Sequence, residues 1–264
     1  MNGSSSWTAL IAAGILSAAG PAAAAGCQAH SAPHRVTVLE LYTSEGCSSC
    51  PPADRWLSGL PQRGIDSSMV IPLAFHVDYW NQLGWPDRFS QARFSERQRQ
   101  IADRLKSGVI YTPQLVLDGR DLRLIGGMDK LQKVLAATNR QAAGASIELK
   151  VEPVSQGTAI AAQISVTDPA LVASAEAWIA VYENGLSSQV SRGENTGKQL
   201  FHDFVVRELI GPFAIDRDGH AQPRHTVRSG PDWSLKNVGV AVLVQRKDNG
   251  EYLQATLTPL ACGS

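Results

Sequence analysis

The hydrophobic period of this chain changes near residue 145, and that change limits the folds open to it. From there on, apolar residues occupy alternate positions: Ile147, Leu149 and Val151, then Ile160, Ala162, Ile164 and Val166. Val238, Val240, Val242 and Val244 repeat the pattern, and Asn249-Gly250 supplies a hairpin turn into residues 252–257. A period of two puts every apolar side chain on one face of a strand. Several such strands without a helical window predict an all-β, antiparallel sandwich-like domain over residues 145–260.

Before residue 141 the pattern is mixed. Val36 to Tyr42 is an apolar, β-branched run that reads as a buried strand, and Cys47 follows after a short loop. Pro51 and Pro52 precede a helical stretch to Leu60, with Asp54 in its first turn. Met69 to Val77 reads as a second strand, and Asp78 to Arg88 as an aromatic-rich loop. Ser95-x-x-Gln98 has the form of a capping box opening a helix through Lys106. Tyr111-Thr112-Pro113 leads into a strand at 114–117, and Asp118-Gly119 turns it toward 122–125. Gly126-Gly127 breaks the chain before Met128, Leu131, Val134 and Leu135 recur at helical spacing. The order β, α, β, α, β, β, α predicts an α/β domain over 35–140, followed by the all-β domain.

The 264 residues are enough for two such domains of about 100–150 residues each. Lys+Arg and Asp+Glu are equal at 24 each, without a basic run, which removes the electrostatic footprint that nucleic acid or an anionic membrane would need. Thr8 to Ala19 is apolar and small, shorter than the roughly 20 residues a bilayer span requires, and Pro21-Ala-Ala-Ala-Ala offers signal-peptidase sites. No Lys or Arg precedes this run. Residues 1–25 are therefore expected to be a signal peptide, and the mature protein to be periplasmic or secreted, without a transmembrane segment. Ala24-Ala25-Gly26-Cys27 also resembles a lipoprotein cleavage box lacking its usual Leu, so a lipid anchor on Cys27 is the alternative.

Four cysteines are present: Cys27, Cys47, Cys50 and Cys262. In an exported protein an even count suggests pairing. A Cys27–Cys262 bridge would close a loop spanning almost the whole mature chain and contribute about 5 kcal/mol in the chain-entropy model. A Cys47–Cys50 bridge closes a loop so short that it contributes at most about 2 kcal/mol. The terminal pair therefore suits a staple, and the close pair suits chemistry.

The first segment resembles the thioredoxin superfamily at four places in order. These are the strand before Cys47, the Cys47-Ser48-Ser49-Cys50 motif, the Thr112-Pro113 step before a strand, and the Gly126-Gly127 break before the last helix. The blocks ELYTSEGCSSCPPAD, FHVDYWNQLGW, YTPQLVLDG and GENTGK together resemble a family of exported bacterial thioredoxin-like proteins with no assigned function, domain of unknown function 1223. The resemblance implies thiol–disulfide exchange with a small thiol or a thiol-bearing protein. Cys47 is the nucleophile by family position and Cys50 the resolving thiol. The two prolines bias the helix to start after Cys50, which would exchange those roles. Where thioredoxins carry a Trp before the first cysteine, this chain has Gly46.

The same resemblance makes Pro113 the expected cis proline beside the cysteines, with Thr112 preceding it. It makes Glu40, one residue further from the first cysteine than the family's buried carboxylate, the expected proton acceptor for the resolving thiol, with a pKa raised by burial. No cofactor is implied. An alternative function is a copper- or zinc-binding chaperone in which His76 joins Cys47 and Cys50, since two thiolates and an imidazole suit a soft metal. A non-catalytic binding module is the third reading. Trp80 is read as core, while Tyr79 and Trp85 could be core or a lid over the cysteines. Gly193-Glu-Asn-Thr-Gly197-Lys198 lacks the following helix a phosphate loop needs and reads as a turn capping the second domain.

Overall fold

The computed structural model describes residues 26–123 and 127–262. The expected signal peptide, residues 124–125 of the expected strand and Gly126 of the expected break lie outside them. Along the chain come β1 (Cys27–His30), β2 (Thr37–Thr43), helix α1 (Pro51–Ser58), β3 (Val70–His76), α2 (Ala92–Arg104), the hairpin β4 (Gln114–Leu117) and β5 (Arg120–Asp121), and α3 (Gly127–Thr138). Then follow β6 (Ala145–Val154), β7 (Gly157–Val166), the single turn α4 (Pro169–Val172), β8 (Ala175–Glu183), β9 (Leu186–Gln189) and β10 (Gln199–His202). The chain ends with β11 (Val205–Ala214), β12 (His220–Ala221), β13 (Arg224–Val227), β14 (Val238–Arg246) and β15 (Tyr252–Pro259).

The sheet topology corrects the expected fold class, an α/β thioredoxin-like domain followed by a separate all-β one. The described residues are predominantly β, and one eight-stranded sheet takes strands from both halves in the order β15-β14-β8-β11-β3-β2-β4-β5. The join is β11 running parallel to β3, with Val205 opposite Ala74 and the Ala74 N–H donating to the Phe204 carbonyl at 2.8 Å. Every residue of β3 is buried. With β2 on one side only, its other edge would bury unpaired N–H and C=O groups, and β11 pairs that edge at Ala74. The N-terminus crosses the other way, since β1 pairs antiparallel with β6 in a second sheet, β1-β6-β7-β12, that also carries β13 on β7.

Side-chain parity then sets the layers. Ile147, Leu149 and Ile164 of the second sheet pack on Ile179, Val181 and Val242 of the large one, burying the alternating faces. Further along, Leu39 and Leu41 of β2 pack with Leu57 of α1 and Leu131 and Leu135 of α3. On the opposite face one core crosses the join, from Tyr42, Phe75 and the α2 residue Phe94 to Tyr182, Leu243 and Tyr252. Helix α2 starts after Gln91, not at Ser95; Ser95 is buried in the helix and its hydroxyl accepts the Asp78 N–H at 3.1 Å.

The two hairpin turns meet. Asp118 and Gly119 both take positive φ, as a tight hairpin turn requires, and a Cβ on Gly119 would come within 2.5 Å of the Gly250 backbone. The Asp118 carboxylate also accepts from Arg35 at 2.6 Å, from Thr37 at 3.0 Å and from the Tyr252 N–H at 2.9 Å. One carboxylate thus ties the entry to β2, the β4–β5 turn and the start of β15.

Candidate functional site

Strand β2 delivers the chain to a tight loop that carries both central cysteines. The Cys47 N–H donates to the Ser44 carbonyl and the Cys50 N–H to the Cys47 carbonyl, both at 3.2 Å. The two sulfurs are joined in a disulfide, with Cα atoms 5.4 Å apart. Helix α1 begins at Pro51 with Cys50 as its N-cap, so its positive end lies nearer Cys50 than Cys47. Pro51 and Pro52 have no N–H, and the next two donors, from Ala53 and Asp54, both go to the Cys50 carbonyl at 2.8 and 3.1 Å. The helix end therefore has little to offer a thiolate by hydrogen bonding. The Ser49 hydroxyl lies 3.3 Å from Cys47 Sγ and is placed to donate to it.

Both cysteines are fully buried, while Ser48 and Ser49 between them are exposed. The GENTGK loop, which joins the two-stranded pair β9 and β10, is bound to the loop that carries the cysteines. Asn195, itself fully buried, donates through Nδ2 to the carbonyls of Glu45 at 2.8 Å and Cys47 at 3.0 Å. Glu194 accepts the Ser48 N–H at 3.0 Å, and Lys198 donates to Asn195 Oδ1 at 2.9 Å. This loop is not merely a turn closing off the second half. It clamps the backbone of the C-x-x-C, a role that nothing local in its sequence shows, because Asn195 and Glu45 are 150 residues apart.

The Thr112–Pro113 peptide is cis. Thr112 Oγ1 accepts the Trp80 Nε1–H at 2.8 Å, and the Trp80 Cβ stands so close to Gly46 that a side chain there would meet it at 3.1 Å. Trp80 therefore packs against the core, as read, and also bridges the Cys47 loop to Thr112. Trp85 donates to Glu45 at 2.7 Å and abuts Gly193 of the clamp, whereas Tyr79 donates to Gln98 at 3.1 Å. Pro113 and Ala53 line a shared cleft of about 560 Å³ with Val109, Tyr111, Leu115 and Leu122.

Glu40 is buried as expected, but its pKa moves the other way. Burial pushes it up; the Arg97 charge and its hydrogen bonds at 2.8 and 3.1 Å outweigh that, aided by the Tyr252 and Tyr42 hydroxyls, each at 2.6 Å. The net shift is downward, so the carboxylate is a fixed anion with its oxygens occupied. It also shares the β2 face of Tyr42, opposite the face that packs on α1. The expected proton acceptor is thus a structural anion.

Near the cysteines lies a second buried group that the sequence reading did not assemble. His76, at the end of β3, holds Asp87 through Nδ1 at 2.6 Å, and Asp87 also accepts the N–H groups of Glu45 and Phe89, each at 2.9 Å. Burial alone would lower the His76 pKa, but the Asp87 charge and hydrogen bond raise it above the usual value. His202, at the end of β10, stacks edge-on with His76 at 5.0 Å between ring centroids. Its Nε2 stands 3.3 Å from Glu45 Oε1 and its Nδ1 3.8 Å from Asp54 Oδ2, yet neither nitrogen has a hydrogen-bond partner. His76 Nε2 and Glu45 Oε1 are buried and unpartnered as well.

A family model described as a protein of unknown function, DUF1223, matches residues 38–245. The chain belongs to the DUF1223 family. The matched span runs from β2 into β14, so it includes both sides of the large sheet's join and every site residue from Glu40 to His202. No curated protein matches this DUF1223 chain. Among solved structures it is similar to protein AGR_C_4864 from Agrobacterium tumefaciens, with a TM-score of 0.63 and 24% identity over 88% of this chain and 98% of that one. It is also similar to HBP35 of Porphyromonas gingivalis, with a TM-score of 0.68 and 15% identity over 89% of this chain and 79% of that one. Both likenesses concern the fold alone.

The DUF1223 match does not reach Cys27 or Cys262, which are bonded to each other with Cα atoms 5.5 Å apart. Cys27 is buried in the core between the two sheets. For the metal alternative, His76 Nδ1 is committed to Asp87 and both cysteine sulfurs to each other. Among the described residues, no three His, Cys, Asp or Glu side chains are arranged to hold a metal ion. Among those residues, too, no helix is long and apolar enough to cross a membrane.

Proposed function

We propose that this protein is exported to an oxidising compartment and responds to thiols there through reversible opening of the Cys47–Cys50 disulfide. The observation that carries the reading is a buried disulfide whose own loop is gripped by one polar loop, through side-chain-to-backbone hydrogen bonds from Asn195 and Glu194. A bridge closing so short a loop adds little to stability, whereas its burial beneath a detachable clamp suits controlled access. Two disulfides in one chain support the oxidising setting. An external thiolate attacks one sulfur, the S–S bond breaks, and the other cysteine leaves as thiolate; a second external thiol completes the reduction. Reoxidation runs the same steps backward. Because both sulfurs are buried, exchange follows opening of the clamp.

The clamp sets the rate. Asn195→Ala removes two backbone contacts, each contributing about 0.5–1.5 kcal/mol, so native-state reduction by dithiothreitol should quicken about tenfold. The measurement is alkylation of freed thiols over time, located by peptide mass spectrometry. Equal rates in the variant and the parent would show that the clamp does not govern access.

A further inference from the structure

The redox step needs a proton carrier, because a cysteine leaving as thiolate must be protonated and a resolving thiol must be deprotonated. Glu40 cannot serve, being saturated by Arg97, Tyr42 and Tyr252. Asp54 occupies the position one helical turn beyond Cys50, its N–H bonded to the Cys50 carbonyl at 3.1 Å. Residues four apart on a helix lie one above the other, so Asp54 stands on the same face of α1 as its N-cap Cys50. The charged and titratable groups around Asp54 are His202 from β10, His76 from β3 and Asp87 from its loop, with Arg55 of α1 lining the same small cavity and Glu45 standing against His202. A cavity of about 30 Å³ lined by Pro51, Asp54, Arg55, Gln199, Phe201 and His202 has room for one water beside them.

We infer, building on the redox reading above, that Asp54 is the group that gives a proton to the Cys50 sulfur and takes it back, with His202 tuning it. On reduction the external thiolate bonds to Cys47 Sγ, the electron pair of the broken S–S bond goes to Cys50 Sγ, and the Asp54 carboxylic acid protonates that thiolate. The Asp54 carboxylate is then reprotonated from water in the small cavity. On reoxidation Asp54 first returns its proton to water in the cavity, the resulting carboxylate removes the Cys50 proton, Cys50 attacks the mixed disulfide at Cys47, and the external thiolate leaves. Burial holds the Asp54 pKa above its ordinary value, while the nearby His202 and His76 pull it partly back. That direction suits a group exchanging protons with a thiol near neutral pH.

The test mixes reduced full-length protein with oxidised glutathione across a pH series, quenches with acid, and follows the Cys47 mixed disulfide to the Cys47–Cys50 bond by mass spectrometry. The parent should show a break in its closure rate below the ordinary thiol range of about 8.5. Asp54→Asn should lose that break and close at least about tenfold more slowly near neutral pH. His202→Gln should move the break to higher pH, because one pull on the Asp54 pKa is gone. A parent profile with no such break, an Asp54→Asn profile matching the parent, or an unmoved break in His202→Gln would each overturn the inference. If Asp54→Asn does not fold, the parent and His202→Gln profiles decide. If folded parent forms no mixed disulfide at all, the redox reading fails; if it forms one that closes independently of Asp54, only this inference fails.

Discussion

Arg97→Met should destabilise the protein by about 3–5 kcal/mol at neutral pH, the range for removing one partner of a buried ion pair. Arg97 reaches from α2 into the core that crosses the sheet join, where it pairs with Glu40 on β2 and donates to the Tyr252 hydroxyl of β15 at 2.8 Å. Its guanidinium also lies 5.6 Å from the Phe75 ring centroid and 5.4 Å from that of Trp178. Without it, a fully buried carboxylate keeps only two phenolic donors. The pH dependence distinguishes this from a simple packing loss. In the parent, the depressed Glu40 pKa contributes stability that is present above about 4.5 and is lost as pH falls through the folded value. In Arg97→Met, burial raises the Glu40 pKa, so acidification relieves the variant while it weakens the parent. Urea denaturation at several pH values should show the gap narrowing toward acid; a gap constant with pH would mean that lost packing, not a stranded charge, is the cause.

The second large effect is at the chain ends. Replacing Cys27 and Cys262 together by Ser should cost about 5 kcal/mol, because their bond closes a loop with a sequence separation of 235. The cost is offset in part because β1 remains paired with β6 through four residues, from Cys27 opposite Val151 to His30 opposite Glu148. Thermal unfolding should therefore shift down sharply, with the near-native fold kept. The double variant Cys47→Ser/Cys50→Ser should shift far less, since its loop is short. Equal shifts for the two pairs would remove the distinction between staple and switch.

The strands were legible where their period was clean. Val238 to Val244 and the Asn249-Gly250 turn became β14, its turn and β15, and the run from Val36 became β2. Pairing between distant strands was not legible, because β11 against β3 is one short parallel contact with no turn between them to announce it. That contact converts two expected domains into one sheet. At the site, the disulfide loop and the helix starting after Cys50 followed from Cys47, Cys50 and the two prolines. The clamp and the His76–His202 group did not, because they come from elements far apart in the chain and carry no shared spacing. Glu40 illustrates the limit within a single strand: burial was readable, but the sign of its pKa depended on Arg97, 57 residues away.

Cys47–Cys50 should open while the rest of the molecule stays folded. The direct test equilibrates native protein with glutathione or dithiothreitol buffers of defined potential and counts thiols at each cysteine by alkylation and mass spectrometry, with circular dichroism on the same samples. Cys47–Cys50 should open at a potential above about −250 mV, with native circular dichroism and Cys27–Cys262 still closed. Loss of both disulfides together, only where the fold is lost, would contradict the account.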